Sequence, residues 1–226
     1  MMFCMKEVML GYTEIMTAPV STTTPARKRL SREESRAQTR EHLLESAKVL
    51  FARKGFEATS VEDVAEHAGY SRGALYSNYS GKEELLTALI DQCFERDIAQ
   101  IERVTDTVND PKVRGQIILE QFVNLDLPLE ALLLQQEFWM CALRYPLVRE
   151  VQSRQLENLH ASIARLVERQ VQDMRLELPS SVNDLVVALT ALRNGLIAQR
   201  YIHDDPRFLE TYRRVFAHLI GVDLSL

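Results

Sequence analysis

Apolar residues recur along this chain at intervals of three and four, and few segments alternate apolar and polar positions. A 3.6-residue period gathers such positions on one helical face, whereas a half-buried strand needs strict alternation. The pattern predicts an all-α fold of about nine helices. Leu43, Ala47, Leu50 and Phe51 form the stripe of a first helix from about Arg32 to Lys54, which Gly55 ends. Val61, Val64, Ala65 and Ala68 share one face of a short second helix. Thr59 and Ser60 can cap it, and Asp63, three residues past Ser60, comes close to a capping box. Gly69 closes it, because a residue at positive φ past a helix end is cheapest as Gly. Ser71 then caps a third helix, Arg72 to about Asn78. Two helices around a Gly-containing turn of about three residues make a helix-turn-helix. Ser80 with Glu83 reads as another capping box and opens a fourth helix, about Lys82 to Thr107. Its apolar positions begin with Leu85, Leu86, Leu89 and Ile90 and continue through Cys93, Phe94, Ile98 and Ile101.

Asn109-Asp110-Pro111 closes that helix, since Pro continues a helix poorly but starts one well. Five more helices are expected: Pro111 to about Leu125, Pro128 to Arg144 with one break, about Leu147 to Leu176, Ser181 to about His203, and Pro206 to about Ile220. The expected organisation is a disordered arm over 1–30, a helix-turn-helix domain over 31–84 and a helical body over 85–226. The stretch TAPVSTTTP cannot bury enough apolar surface to form a core. Met16, followed by this polar tail, reads as a natural start, which would make residues 1–15 an upstream extension. Arg27, Lys28 and Arg29 form a short basic arm that either reaches DNA phosphates or the minor groove, or is a solvated tail.

Charge sharpens this picture. The net charge is −5, which excludes a protein that coats nucleic acid indiscriminately. Residues 26–82, however, carry 11 Lys/Arg against 8 Asp/Glu, while the rest carries 16 against 24. A mildly basic head on an acidic body suits local DNA contact. Cys4, Cys93 and Cys141 form no C-x-x-C pair, which fits a reducing cytosol rather than a disulfide or zinc scaffold. No apolar run reaches the ~18 residues of a membrane span, so a cytoplasmic protein with no membrane partner is expected. No G-x-S-x-G, P-loop or H-E-x-x-H pattern occurs. The expectation is therefore no enzyme, no catalytic residue, no metal and no cofactor.

Thr39-Arg40, followed by LLESAKVLFARKGFEATSVEDVAEHAGYSRGALYSNYSGKEELL, resembles the DNA-binding domain of the TetR family of bacterial transcriptional repressors. The resemblance covers roughly residues 35–95. It rests on the LFARKGF, T-S-V-x-D-V-A-x-x-A-G, S-x-G-x-L-Y and K-E-E-L-L pieces, which stand in order with family-like gaps. The remaining 130 or so residues resemble the family only in being helical. The resemblance implies a homodimer that binds double-stranded DNA at a palindromic operator and is released by a small-molecule effector, partly apolar, held in the body. It also implies that effector binding tilts the fourth helix and moves the heads out of register. Two other classes stay open: a helical ligand-binding or interaction module of the same fold without operator recognition, and a small helical enzyme using the body cavity. Activation rather than repression is equally open, because its sign depends on operator position.

Candidate DNA contacts are Thr39, Arg40, Thr59, Ser60, Ser71, Arg72, Gly73, Ala74, Tyr76, Ser77, Asn78 and Lys82. The first residues of a recognition helix meet base edges in the major groove. Arg72 is the candidate for direct readout, since Arg binds guanine O6 and N7 with two hydrogen bonds. Gly73 and Ala74 let the backbone come close, and Ala74 can meet a thymine methyl. Ser71, Tyr76, Ser77 and Asn78 can donate to phosphates, which position without specifying. Lys82 brings a point charge to a helix N-terminus. The resemblance assigns Tyr76 and Lys82, and Thr39 and Arg40, to phosphate. Leu75 and Tyr79 are expected in the core.

In the body, the aromatic cluster around the single Trp suggests an effector pocket, since such pockets are mostly apolar with few polar groups. Phe122, Phe138, Trp139, Met140, Tyr145 and His160 are its candidate lining, with Glu137, Arg193 or Asn194 to orient the ligand; core packing is the alternative for each. Leu185, Leu189, Leu192, Gly195 and Leu196 form one stripe of the last two helices, and Phe208, Tyr212, Val215, Phe216 and Leu219 the other. Either stripe can be core. The resemblance makes them a four-helix dimer interface, and a mid-helix Gly such as Gly195 often marks a close helix approach. Cys141 beside Trp139 is either an oxidant sensor or, by default, a buried uncharged thiol.

Overall fold

The computed structural model describes residues 31–123, 127–203, 205 and 207–220, with the side chains at 119, 121–123, 209 and 219–220 outside the description. The expected arm over 1–30 lies outside it as well. Among the described residues there are nine helices and no strand: α1 Arg32–Lys54, α2 Val61–His67, α3 Arg72–Tyr76, α4 Lys82–Thr107, α5 Pro111–Val123, α6 Leu129–Arg144, α7 Pro146–Met174, α8 Val182–Ile202 and α9 Arg207–Ile220. The helix expected over Pro128–Arg144 is unbroken. The chain divides into two compact units. Among the described residues, one joins those up to Gln92 with Leu133–Gln152; the other joins Cys93–Leu132 with those from Ser153 onward. The first unit therefore recruits most of α6 and the start of α7, which stand far from the helix-turn-helix in sequence.

In the first unit, α1 starts at Ser31, whose hydroxyl accepts from Glu34 N while Glu34 accepts back from Ser31 N. That reciprocal pair satisfies two of the helix's orphan donors. The helix ends at Gly55, at φ 84°, a conformation glycine reaches without a Cβ penalty. Leu43, Ala47, Leu50 and Phe51 are buried, as the stripe requires. They pack with Phe56, Val64, Ala65, Leu75, Tyr79, Leu85, Leu86, Leu89 and Ile90. Burying one such large side chain is worth about 1.5–3 kcal/mol. Leu75, with no exposed surface, fixes α3 to this core. Leu75→Ala would leave a cavity and cost about 2–5 kcal/mol. The Ser60–Asp63 box is complete, and Ser71 caps α3 by accepting from Ala74 N at 3.1 Å. The fourth helix departs from expectation: Ser80 N donates to Glu84 Oε2 at 2.6 Å, so Glu84 rather than Glu83 closes the loop. The helix begins at Lys82, which makes Glu84 its third residue, the position that reaches back.

In the second unit, Ile101, Val104, Ile118, Ile163, Leu166, Val186, Leu189, Ile197, Tyr212 and Phe216 form the core. α9 packs on α5 and α8. A polar tie runs through it. Arg114 is fully buried and donates to Gln170 Oε1 at 3.1 Å, Val108 O at 3.0 Å and Asp173 Oδ2 at 2.5 Å. A buried guanidinium demands such complete partnering, because an uncompensated charge is costly to desolvate. Arg165 pairs with Glu102 at 2.6 Å, which joins α7 to α4. Ser181 caps α8, accepting from Asp184 N.

Candidate nucleic-acid interface

The helix-turn-helix presents the start of α3 to solvent. Ser71, Arg72, Gly73 and Ser77 are exposed, and Tyr76 is 44% exposed. Arg72 is not idle there. Its Nε meets Glu62 Oε1 at 2.9 Å, and its guanidinium lies 5.4 Å from the centre of the Tyr76 ring. Hydrogen bonding to Tyr76 and the charge of Glu62 raise its pKa further, so it stays a cation. Ala74 is partly exposed.

Several expected contacts are committed elsewhere. Thr59 is only 1% exposed, and its hydroxyl donates to Gly55 O at 2.7 Å. It braces the turn after α1 and cannot offer that hydroxyl to a phosphate, because the loop folds inward to cover the core. Asn78 is 9% exposed: its amide donates to Ala74 O, and its Oδ1 accepts from Arg36 Nε. Arg40 stacks on Tyr79 at 4.3 Å and donates to Asn78 O at 2.6 Å. The Thr39 hydroxyl donates to Ser35 O, one turn back. Ser60 is used in its capping box and Ser77 donates to Ala74 O, although both stay exposed. Lys82 donates to Phe56 O at 2.8 Å and Glu57 O at 3.3 Å, and its ammonium sits 4.3 Å from the Phe56 ring centre.

Sequence reasoning missed Arg36 and Glu62. Arg36 donates to Ser77 O and Asn78 Oδ1, which holds the C-terminal end of α3 against α1. Its spacing of one helical turn from Arg40 was the available signal. Glu62 gave no signal, because its link to Arg72 runs between two helices.

The residues expected to line an effector pocket scatter between the units. Glu137 and Tyr145 belong to the first unit and engage the loop after α1: Glu137 Oε2 accepts from Phe56 N at 3.0 Å, and Tyr145 OH donates to Glu57 Oε1 at 2.5 Å. That bond to a carboxylate, with burial, pushes the Tyr145 phenol up to about 12. Phe138 is fully buried core, Trp139 is partly exposed and Met140 is 44% exposed. His160 lies in the second unit with its Nε2 3.1 Å from Thr190 Oγ1, and burial lowers its pKa. Arg193 is buried near Tyr212, and burial lowers its pKa to about 10. Asn194 is partly exposed, and the Phe122 side chain is outside the described residues. Cys141 is 2% exposed, and burial first, then Glu137 and Glu57, push its thiol up to about 11.

The stripes expected at a dimer interface split likewise. Leu189, Tyr212 and Phe216 are buried within the protomer, so they support the surface from beneath. Leu185, Leu196 and Phe208 are partly exposed, and Leu219 lies outside the described side chains. Leu192, Val215 and Gly195 are exposed, and a Cβ on Gly195 would meet nothing within 4 Å. Leu192, Leu196, Phe208, Tyr212 and Val215 line a groove of about 480 Å³ on this face.

Residues 43–89 match the family model described as bacterial regulatory proteins, tetR family. The chain is 38% identical to the HTH-type regulator YfiR of Bacillus subtilis over 61 residues, 27% of this chain and 30% of that protein. It is 32% identical to TtgR of Pseudomonas putida over 99 residues, 43% of this chain and 47% of that one. The chain thus spans less than half the length of these two curated relatives. ArpR of Pseudomonas putida is 28% identical over 181 residues, 76% of this chain and 83% of that one. Among solved structures, GusR of Salmonella enterica superposes with a TM-score of 0.69 at 20% identity, covering 86% of this chain and 100% of that one. SmeT, solved as a complex with triclosan, gives 0.62 at 20% identity, covering 81% and 88%. At such identities the two structures speak for the fold. Among the described residues no helix is long and apolar enough to cross a membrane.

Proposed function

We propose that the chain is a TetR-family regulator that acts as a cytoplasmic homodimeric transcriptional repressor, binding a palindromic operator and released by a small-molecule effector, a reading supported by the family-model match over residues 43–89 and the similarity to TtgR. The observation that carries this reading is the α2–α3 surface, where exposed Arg72 and Tyr76 stand on a rigid core fixed by buried Leu75. Arg72 reads a base edge, Tyr76 and Ser71 meet phosphates, and Arg36 and Arg40 hold the frame behind them.

Dimerisation is supported by the exposed side of α8 and α9. Val187, Leu192 and Val215 are each more than 40% exposed, and Ala188, Ala191 and Gly195 leave a low surface beside them. Small residues let a second helix come close, and a twofold interface would place two heads on half-sites about one helical turn apart. The effector reading is supported by a structural neighbour in complex with triclosan and another in complex with choline. The effector must bind the two states unequally, since moving a 1:99 equilibrium to 99:1 takes about 5.5 kcal/mol.

The test is selection of bound duplexes from a random DNA pool at stated salt. Enrichment of a palindrome supports a dimeric operator-binding regulator. A folded dimer that enriches nothing, even after refolding to strip ligand, would instead favour a ligand-binding module without operator recognition.

A further inference from the structure

The loop Gly55–Glu57 links α1 to the helix-turn-helix, and five of its backbone polar groups have a partner. Gly55 N donates to Phe51 O, and Gly55 O accepts from the Thr59 hydroxyl. Phe56 N donates to Glu137 Oε2, while Phe56 O and Glu57 O both accept from Lys82. The Phe56 ring is 1% exposed and meets Phe51 and Tyr145 edge-on, with centroids 5.3 and 5.4 Å away. Tyr145 also donates to Glu57. Glu137 comes so close that a Cβ on Gly55 would sit 3.1 Å from its Oε1. Four of these groups reach the loop from outside the helix-turn-helix proper, and two of them, Glu137 and Tyr145, stand more than 80 residues away in sequence.

Glu137 places a carboxylate at the C-terminal end of α1, where the helix dipole disfavours negative charge. Arg53 and Lys54 in the last turn, with Lys82 on the Phe56 and Glu57 carbonyls, are the cations that offset it. The bond from Phe56 N to Glu137, on the loop that joins α1 to α2 and α3, makes the carboxylate a positioning group.

We propose that Glu137, seconded by Tyr145, is a positioning residue for DNA reading: α6 grips the Gly55–Glu57 loop and thereby fixes the angle at which α3 is presented. The proposal rests on the reading of this chain as a DNA-binding regulator and adds where its control enters the head. A displacement of α6 along or about its axis would release Phe56 N–H and the Tyr145–Glu57 bond without touching any DNA contact.

The experiment uses the full chain with Glu137→Ala, Glu137→Gln and Tyr145→Phe. Two quantities are read: amide hydrogen exchange over residues 55–65, and affinity for the duplex that the wild type enriches from a random pool, measured across salt. Glu137→Ala should speed exchange at least tenfold and weaken binding about tenfold, with the slope of log affinity against log salt unchanged, because no phosphate contact is lost. Glu137→Gln keeps an acceptor oxygen for Phe56 N–H and should restore both quantities to near wild type. Tyr145→Phe should fall between, and it carries the test if Glu137→Ala does not fold. Unchanged exchange in Glu137→Ala overturns the proposal, as does faster exchange with unchanged affinity, a flatter salt slope, or equal loss in the Ala and Gln variants. If the wild type enriches no duplex, the DNA-binding reading falls separately, and exchange still decides whether Glu137 holds the loop.

Discussion

Arg72 offers the sharpest test of how this head would read sequence, because the structure shows what it must give up. In the free head its guanidinium is tethered to Glu62 at 2.9 Å, with 65% of the arginine side chain and 52% of the glutamate exposed. An ion pair so exposed contributes at most about a fivefold bias. Its stacking on Tyr76, at 5.4 Å from an exposed ring, adds a similar small factor. A bidentate bond to guanine, by contrast, discriminates against a wrong base by about 5- to 150-fold. The base contact outweighs the tether, so Arg72 should swing from Glu62 to DNA. Arg72→Ala should therefore flatten preference at one position of each half-site by about 5- to 150-fold. Glu62→Gln should leave preference intact and tighten binding up to about fivefold. The assay is fluorescence anisotropy with the selected duplex and its single-base variants, at matched salt. If Arg72→Ala weakens every duplex by the same factor, or Glu62→Gln weakens binding, Arg72 is not a base reader.

Further outcomes follow from other parts of the molecule. Lys82→Met should weaken binding with an unchanged salt slope if the ammonium serves only the Phe56 and Glu57 carbonyls, whereas a slope reduced by about 0.9 would assign it to a phosphate. Arg114→Met should lower unfolding free energy by about 2–3 kcal/mol in urea titration, because Gln170 and Val108 O lose their donor inside the fold. Burial pushes the Cys141 thiol up to about 11 and leaves it protonated at pH 7.5, so alkylation in the native state should be far slower than in urea. Burial holds the folded-state pKa of His160 below its ordinary value, so its neutral form contributes stability above about pH 6.5 that is lost as pH falls through the folded pKa. Equilibrium denaturation of His160→Asn should show a shallower loss over that range.

How much of this was legible in the sequence depended on distance along the chain. The bounds of α1 and α4, and the caps at Ser60 and Ser71, are set by residues within four positions of one another, so local rules located them. Thr59 escaped those rules, because its hydroxyl faces Gly55 O only once the loop turns inward. Glu137 and Tyr145 escaped entirely: their partners lie 81 and 88 positions away. An aromatic and acidic cluster without its partners reads as a pocket. The stripes of α8 and α9 showed where apolar surface lay but not which side the protomer itself covers, since Leu189 and Leu192 stand only three residues apart and end, respectively, buried and exposed.

The same 81-residue separation has a consequence in time. A ribosome adds about 5–20 residues per second, so Glu137 is synthesised about 4–16 seconds after Phe56. Helices close in microseconds, and a small local bundle such as α1–α3 assembles well within that interval. On the proposed role of Glu137, every new copy of the head therefore forms before its grip, and its angle is set only when α6 arrives. On that role, a product truncated before α6 would lack the Glu137 and Tyr145 bonds to the loop, and its α3 would not be held at that angle.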